Sequence, residues 1–233
     1  MNNGQEIKQF RLDSAHKCAL YLNKIIFSCE KNMYFFERYN QETSFILCEY
    51  YGEVKIPYDK YVALVHKIGT IKMTLLNIIG DAQSSSISYF KFRKQIQKQI
   101  KNGKIDIKIL DLGNDLEKIL SEFNKYRNWQ NHVPESLLVA ERALMENEGV
   151  QLKLNPIGIV HYNYVSYEYF KSFYDENTHF YNQARKIIQS AKEDYSQLIG
   201  EPIICSPIYL DKPLSFEQAQ SVEMSAKIQG IDF

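Results

Sequence analysis

Apolar residues recur every three or four positions over most of the chain, which is the spacing of amphipathic helices. The first forty residues predict one long helix of this kind, and Pro57 suits the first turn of a second. Two further helices are predicted at 88–101 and 165–199, and three others are predicted to begin at Asn114, Pro134 and Ser215. The pattern therefore predicts a mainly α fold, an antiparallel helical bundle with extra C-terminal helices.

Two segments interrupt the helical pattern. Residues 43–56 are short and rich in β-forming side chains, and they fit either a small β-hairpin or an irregular crossover. Residues 148–158 are the weak point for a division into domains. We expect a helical bundle at 1–149 and a helical extension at 150–233 that packs on it, either as a separate unit or as part of the same domain.

Composition excludes several classes of protein. The 233 residues have zero formal net charge, which argues against a protein that coats nucleic acid along its whole surface, although a local basic patch is allowed. The polar N-terminus and the lack of an apolar run of about 20 residues favour a cytoplasmic protein without a membrane partner. The four cysteines have no zinc-like spacing, and no phosphate-binding or dinucleotide motif occurs, so no metal or cofactor is expected.

One residue breaks the binary pattern of the helix that begins at Asn114. On a helical wheel its apolar stripe contains Leu116, Ile119, Leu120, Phe123 and Tyr126. Arg127 falls in the middle of this stripe, with Asn131 one turn further on. A buried guanidinium is costly unless its N–H groups are satisfied, so Arg127 must have a partner. Such breaks are expected at functional or strained sites.

The residues that follow Arg127 have side chains suited to catalysis. Asn128 and His132 are four positions apart and share a face of the helix, while Arg127 and His132 lie about 140° apart around it. The stretch RNWQNH resembles the R-x4-6-H signature of the HEPN superfamily, with asparagine at the polar position that the family prefers. The resemblance covers about residues 5–148, mostly through the number and order of helices.

This resemblance implies a function. Many HEPN proteins are metal-independent endoribonucleases, often toxins or defence factors, which act as homodimers with two facing motifs. It implies that Arg127, Asn128 and His132 form the catalytic site. His132 would act as base or acid in attack by a ribose 2′-OH, and Arg127 would stabilise the charge on the phosphate. RNA and an antitoxin protein are the partners it implies.

A basic segment at 88–108 is the candidate RNA-binding surface. It holds seven Lys and Arg residues against Asp106 alone, with aromatic residues at its start. Lys91, Arg93, Lys94 and Lys98 are the candidate phosphate contacts. The alternative is a solvated helix face whose aromatic and isoleucine side chains pack on the core.

The tyrosine-rich segment 161–181 supports a second hypothesis about function. Its tyrosines fit a stacking platform, a dimer interface or an amphipathic helix with phenols at the rim. Asp175, His179 and His161 offer at most a weak metal site. The alternative to a ribonuclease is a noncatalytic, all-α interaction protein of the phage or mobile-element type, which binds a partner through this aromatic region.

Overall fold

The computed structural model describes residues 10–131, 135–149 and 160–206, with the side chains of residues 130, 131 and 135–137 excepted. It contains six helices in this part of the chain: α1 (Ala15–Glu49), α2 (Tyr58–Gly80), α3 (Tyr89–Lys101), α4 (Asn114–Asn131), α5 (Glu135–Asn147) and α6 (Tyr167–Ile199). Two short strands complete it, β1 (Lys55–Pro57) and β2 (Tyr164–Ser166). The prediction of a mainly α protein with a small β element is confirmed.

The strands join distant parts of the sequence. β1 pairs with β2 in antiparallel register, with Ile56 opposite Val165. Both of these side chains are buried in a small apolar cluster that also contains Leu47, Leu64 and Phe170. The sheet therefore ties the turn between α1 and α2 to the start of α6. Residues 43–49, which the sequence left undecided, continue α1.

Helices α1, α2, α4 and α6 form the bundle. α1 packs against α2 and α6, and α4 packs against the same two helices, so α1 and α4 lie on opposite corners. The ring of Phe180 on α6 stacks on Phe36 of α1 and on Phe123 of α4, at centroid distances of 5.7 and 5.1 Å. Aromatic stacking thus joins three of the four helices in one core.

Helices from both sides of the predicted boundary near residue 150 share one core. α6 comes from the predicted extension at 150–233, yet Ala184, Ile187 and Ile188 are buried in the same cluster as the core residues of α1 and α2. The predicted helix at Ser215 lies outside the described residues. α2 is long and apolar enough to cross a membrane by length and composition. In this structure one side of α2 faces the core and buries Leu64, Ile68, Ile71, Leu75, Leu76 and Ile79, whereas Met73 on its other side is 44% exposed.

Candidate functional site

Arg127 lies near the end of α4, on the side that packs against α2, and its side chain is 9% exposed. Its Nη2 donates to Oδ2 of Asp81 at 3.0 Å, which pairs the guanidinium with a carboxylate. Its Nε donates to Oδ1 of Asn77 at 3.3 Å, and its Nη1 donates to Oδ1 of Asn128 at 3.2 Å. The prediction that Arg127 faces the core and has a partner is confirmed, and that partner is Asp81.

A glycine makes this ion pair geometrically feasible. Gly80 is the last residue of α2, and a Cβ at this position would lie 2.7 Å from the carbonyl carbon and oxygen of Phe123 on α4. Asn124 donates from Nδ2 to the carbonyl oxygen of Gly80 at 2.6 Å. The missing side chain therefore lets the two backbones approach closely. Asp81, the next residue, comes within reach of Arg127.

Asp81 also connects α4 to the basic helix α3. Its Oδ1 accepts from the backbone N–H of Gln83 at 2.9 Å, and its carbonyl oxygen accepts from the hydroxyl of Ser88. Ser88 is the N-cap of α3, because its Oγ accepts from the N–H of Lys91 at 3.1 Å. The start of α3 and the end of α4 are therefore held together by one buried aspartate.

Of the other two residues of the predicted catalytic site, the structure describes only Asn128. The side chain of Asn128 is exposed beside Arg127. Tyr126, which was predicted to lie on the apolar stripe, is more than half exposed. Phe123 and Arg127 mark the centre of this stripe, and Tyr126 lies at its edge. His132 and the side chain of Asn131 lie outside the described residues, so the convergence of His132 with Arg127 stays a prediction.

The lysines of α3 divide into two groups. Lys94 and Lys98 are exposed, as are Lys101, Lys104 and Lys108 further along. Lys91 is half-buried, and its Nζ donates to the carbonyl oxygens of Ser84 and Ser86 at 2.5 and 2.8 Å. Burial lowers the pKa of Lys91, and the carboxylate of Asp81 opposes this. The exposed lysines form a basic strip that begins close to the candidate site.

Arg93 requires a correction. It was predicted to contact phosphate, but its side chain is 4% exposed and its Nε lies 3.2 Å from Oδ2 of Asp194, which is 1% exposed. Its Nη1 donates to the carbonyl oxygen of Leu110 at 2.7 Å. Arg93 shares the core face of α3 with Phe92 and Ile96, and this helical spacing was readable in the sequence. It is therefore an interior residue and not part of the basic strip.

Asp194 is the centre of a buried polar cluster that the sequence did not predict. The hydroxyl of Tyr89 donates to its Oδ2 at 2.8 Å and lies 3.0 Å from Oγ of Ser190. Burial raises the pKa of Asp194 to about 6, although the guanidinium of Arg93 lowers it. Burial also raises the pKa of Tyr89. This cluster fixes α3 against α6 through groups that have no contact with Arg127 in the described structure.

The tyrosine-rich segment forms β2 and the first turns of α6. Tyr61 of α2 packs edge-on against the rings of Tyr169 and Phe173, and its hydroxyl lies 3.1 Å from that of Tyr169. Phe170 is fully buried, whereas Tyr164 and Tyr169 are more than half exposed. The segment thus combines core packing with phenols at the rim. Within residues 10–131, 135–149 and 160–206, no group of three His, Cys, Asp or Glu side chains is placed to hold a metal ion.

Comparison of the chain with protein-family models, with curated proteins and with solved structures found no match.

Proposed function

We propose that the protein is a HEPN-like, metal-independent endoribonuclease whose site is the end of α4. The observation that supports this most directly is the restrained Arg127, which is held by Asp81 and Asn77 and itself donates to the exposed Asn128. The RNWQNH stretch places His132 four residues after Asn128. In this proposal Asn128, which accepts a hydrogen bond from Arg127, acts together with His132, four residues further along the sequence.

The proposed roles follow from these contacts. His132 takes the proton from a ribose 2′-OH or gives one to the leaving oxygen, because imidazole does either near neutral pH. Asn128 accepts from Arg127 through Oδ1, which leaves its Nδ2 to donate to a phosphate oxygen or to His132. Arg127 is a positioning residue, since three of its five N–H groups already bind protein. This differs from the direct phosphate contact that the resemblance implies.

RNA would approach along the basic strip of α3. Lys94 and Lys98 are exposed, and α3 begins at the Ser88 that binds Asp81. Lys94 and Lys98 are four residues apart, so they lie on one face of α3 and about 6 Å from each other along its axis. We therefore retain Lys94 and Lys98 as phosphate contacts. We omit Lys91, whose Nζ already donates to two carbonyl oxygens, and Arg93, which is buried. A homodimer, a role as a toxin or defence factor, an antitoxin partner and a cytoplasmic location are further parts of the proposal.

The experiment compares RNA cleavage by the wild-type protein, by His132→Ala and by His66→Ala. His66 is an exposed histidine on α2 and serves as the matched control. With total cellular RNA and a chelator, we expect cleavage to cyclic-phosphate and 5′-hydroxyl ends by the wild type and the control. His132→Ala should be at least about 100-fold slower, as for loss of a general acid or base. No cleavage by the wild type, or equal cleavage by all three proteins, refutes the catalytic proposal.

Arg127 is unsuited to the same test. Arg127→Ala would leave the carboxylate of Asp81 buried without its cation, at a cost of about 3–5 kcal/mol. Loss of activity would then report unfolding. Asn128→Ala is the better second variant, because the side chain of Asn128 is exposed and its removal leaves the ion pair intact.

The second candidate is a noncatalytic interaction protein. The observation that favours it is that Arg127 already has a carboxylate partner, which gives it a purely structural role. The exposed Tyr162, Tyr164 and Tyr169 near the sheet would then form the binding surface. For this function we expect RNA to remain intact with every variant, and Tyr164→Ala with Tyr169→Ala to abolish binding of the partner protein.

A further inference from the structure

The last turns of α4 present two exposed aromatic rings beside the candidate site. Trp129 is 59% exposed and Tyr126 is 54% exposed, and among the described side chains of α4 they are the only large apolar ones at the surface. Trp129 directly follows Asn128 and is the sole tryptophan of the chain. The candidate site therefore has an aromatic surface next to its asparagine.

The helix that carries these rings is anchored from its inner side. The guanidinium of Arg127 is held by Asp81, and one turn earlier Asn124 donates from Nδ2 to the carbonyl oxygen of Gly80. Trp129 lies about 160° from Arg127 around the helix, so its ring is on the opposite, outer face. A tryptophan has only two side-chain torsions, so little conformational freedom is lost when a ligand orders it. The ring is thus suited to act as a fixed platform.

The surroundings of Trp129 fit a nucleobase better than the apolar face of a protein. The residues three and four positions before it on the helix are its neighbours, and they are Tyr126 and Lys125. Protein interfaces surround an aromatic anchor with further side chains that exclude water, whereas no described aliphatic side chain of α4 is exposed. A base needs only the flat face of a ring and a cation for its phosphate.

The charge near Trp129 matches a phosphate backbone. The stretch 125–131 contains two cations and no acidic residue. One of the cations is Arg127, whose charge is balanced in its buried ion pair. The other is Lys125, which is exposed and lies one turn before the ring. The nearest acidic residue of α4, Glu122, is about 10 Å from Trp129 along the helix axis.

We propose that Trp129 is a stacking platform for an unpaired RNA base, and that Lys125 contacts the phosphate next to this base. The choice of RNA as the ligand rests on the proposed function, which places a phosphate at Asn128. The base on Trp129 then belongs to a nucleotide beside the bond that is cut. Bases in a duplex are already stacked on both faces, so only a single strand or a loop fits. Every base has a face that stacks, so Trp129 selects unpaired RNA with little preference for sequence.

The sole tryptophan gives a direct readout of this contact. Excitation at a wavelength that tyrosine does not absorb reports on Trp129 alone, although the chain has 17 tyrosines. The probe is a single-stranded RNA oligomer with 2′-O-methyl groups, which lacks the 2′-OH that cleavage requires. We expect this oligomer to quench the fluorescence of Trp129. A duplex of the same length, and an oligomer with the same phosphates but no bases, should cause little quenching.

Four variants separate stacking from charge, with binding measured by the anisotropy of the labelled oligomer. Trp129→Ala should bind it at least about 10-fold more weakly, as for one lost base–aromatic stack, and Trp129→Phe should recover part of this loss. Lys125→Ala should lower the slope of log affinity against log salt by about one. Phe45→Ala removes an exposed ring from α1 and is the control, with unchanged binding. The substituted side chains are exposed, and thermal unfolding checks that each variant folds.

The proposal is overturned if the single-stranded oligomer leaves the fluorescence of Trp129 unchanged, or if Trp129→Ala binds it as tightly as the wild type. Equal quenching by the oligomer without bases also overturns it, because charge alone would then explain the effect. A blue shift of the fluorescence as protein concentration rises without RNA means that a second copy covers Trp129, which overturns it too. An unchanged salt slope overturns the role of Lys125.

Failure of this proposal is distinguishable from failure of the proposed function, because the probe cannot be cleaved. A wild-type protein that binds the probe through Trp129 but cuts no RNA refutes the ribonuclease alone. A wild-type protein that cuts RNA, with normal binding of the probe by Trp129→Ala, refutes the stacking platform alone.

Discussion

Two buried arginines each form an ion pair with a buried aspartate of another part of the chain. Arg127 pairs with Asp81, and Arg93 pairs with Asp194. Breaking a buried pair by removing one partner is strongly destabilising, whereas the intact pair contributes little net stability. The pairs therefore act as constraints on which helix faces meet. Asp81 has an additional bond from a backbone N–H, while Oδ1 of Asp194 is buried without a hydrogen-bond partner in the described structure.

The unsatisfied oxygen of Asp194 leads to a prediction about pH. Burial raises the pKa of Asp194 to about 6, from 3.8 in an unfolded chain. The native protein therefore binds more protons than the unfolded one between about pH 4 and pH 6, and the stability from Asp194 falls as pH rises through this window. The loss is about 2–3 kcal/mol at most. Urea unfolding of the wild type and of Asp194→Asn at pH 4.5 and 7 checks this, because the variant should lack this loss. A parallel pH dependence of both proteins would contradict it.

At the scale of helices, the contact of α2 with α4 depends on one missing side chain. Gly80→Ala would place a Cβ 2.7 Å from backbone atoms of Phe123, which cannot move aside without shifting α4. We expect a loss of about 1–3 kcal/mol in the free energy of unfolding. Gly69→Ala on the same helix is the control, because its Cβ would meet nothing within 4 Å, and it should stabilise by about 0.5–1 kcal/mol. Urea unfolding of both variants measures the difference, and a Gly80→Ala protein as stable as the wild type would exclude the close approach.

At the scale of helices, the features that could be predicted from the sequence depend on residues only a few positions apart. Helical spacing and capping residues act within a few positions, so the start of α4 at Asn114 and the burial of Arg127 followed from neighbouring residues. The partners of the two arginines could not be predicted from neighbouring residues, because Asp81 is 46 residues from Arg127 and Asp194 is 101 residues from Arg93. The prediction that Arg93 contacts phosphate was wrong for another reason. The neighbouring lysines suggested a solvated basic face, whereas Arg93 lies on the face of α3 that packs against the core. The site depends on pairs that only the folded chain brings together.

At the scale of the whole molecule, the last long helix belongs to the core. α6 places Phe170, Phe180, Ile187 and Ile188 in the buried clusters, and β2 pairs with β1. Four such side chains contribute about 6–12 kcal/mol when buried, which is comparable with the whole stability of an ordinary domain. An α1 that lost α6 would expose much of its apolar face. These contacts favour the alternative in which the helices before and after residue 150 belong to one domain.

This makes a clear prediction for a fragment of residues 1–149. Without α6 the core loses a stabilisation as large as its net stability, so the fragment should show no cooperative thermal transition in circular dichroism. Adding the separate fragment 150–233 should restore helical signal and a cooperative transition, because α6 can then return to the groove between α1 and α4. Residues 1–149 carrying Gly69→Ala serve as a control, since a small gain in helix stability should not restore folding. A sharp transition of fragment 1–149 alone would mean that the first five helices form a domain of their own.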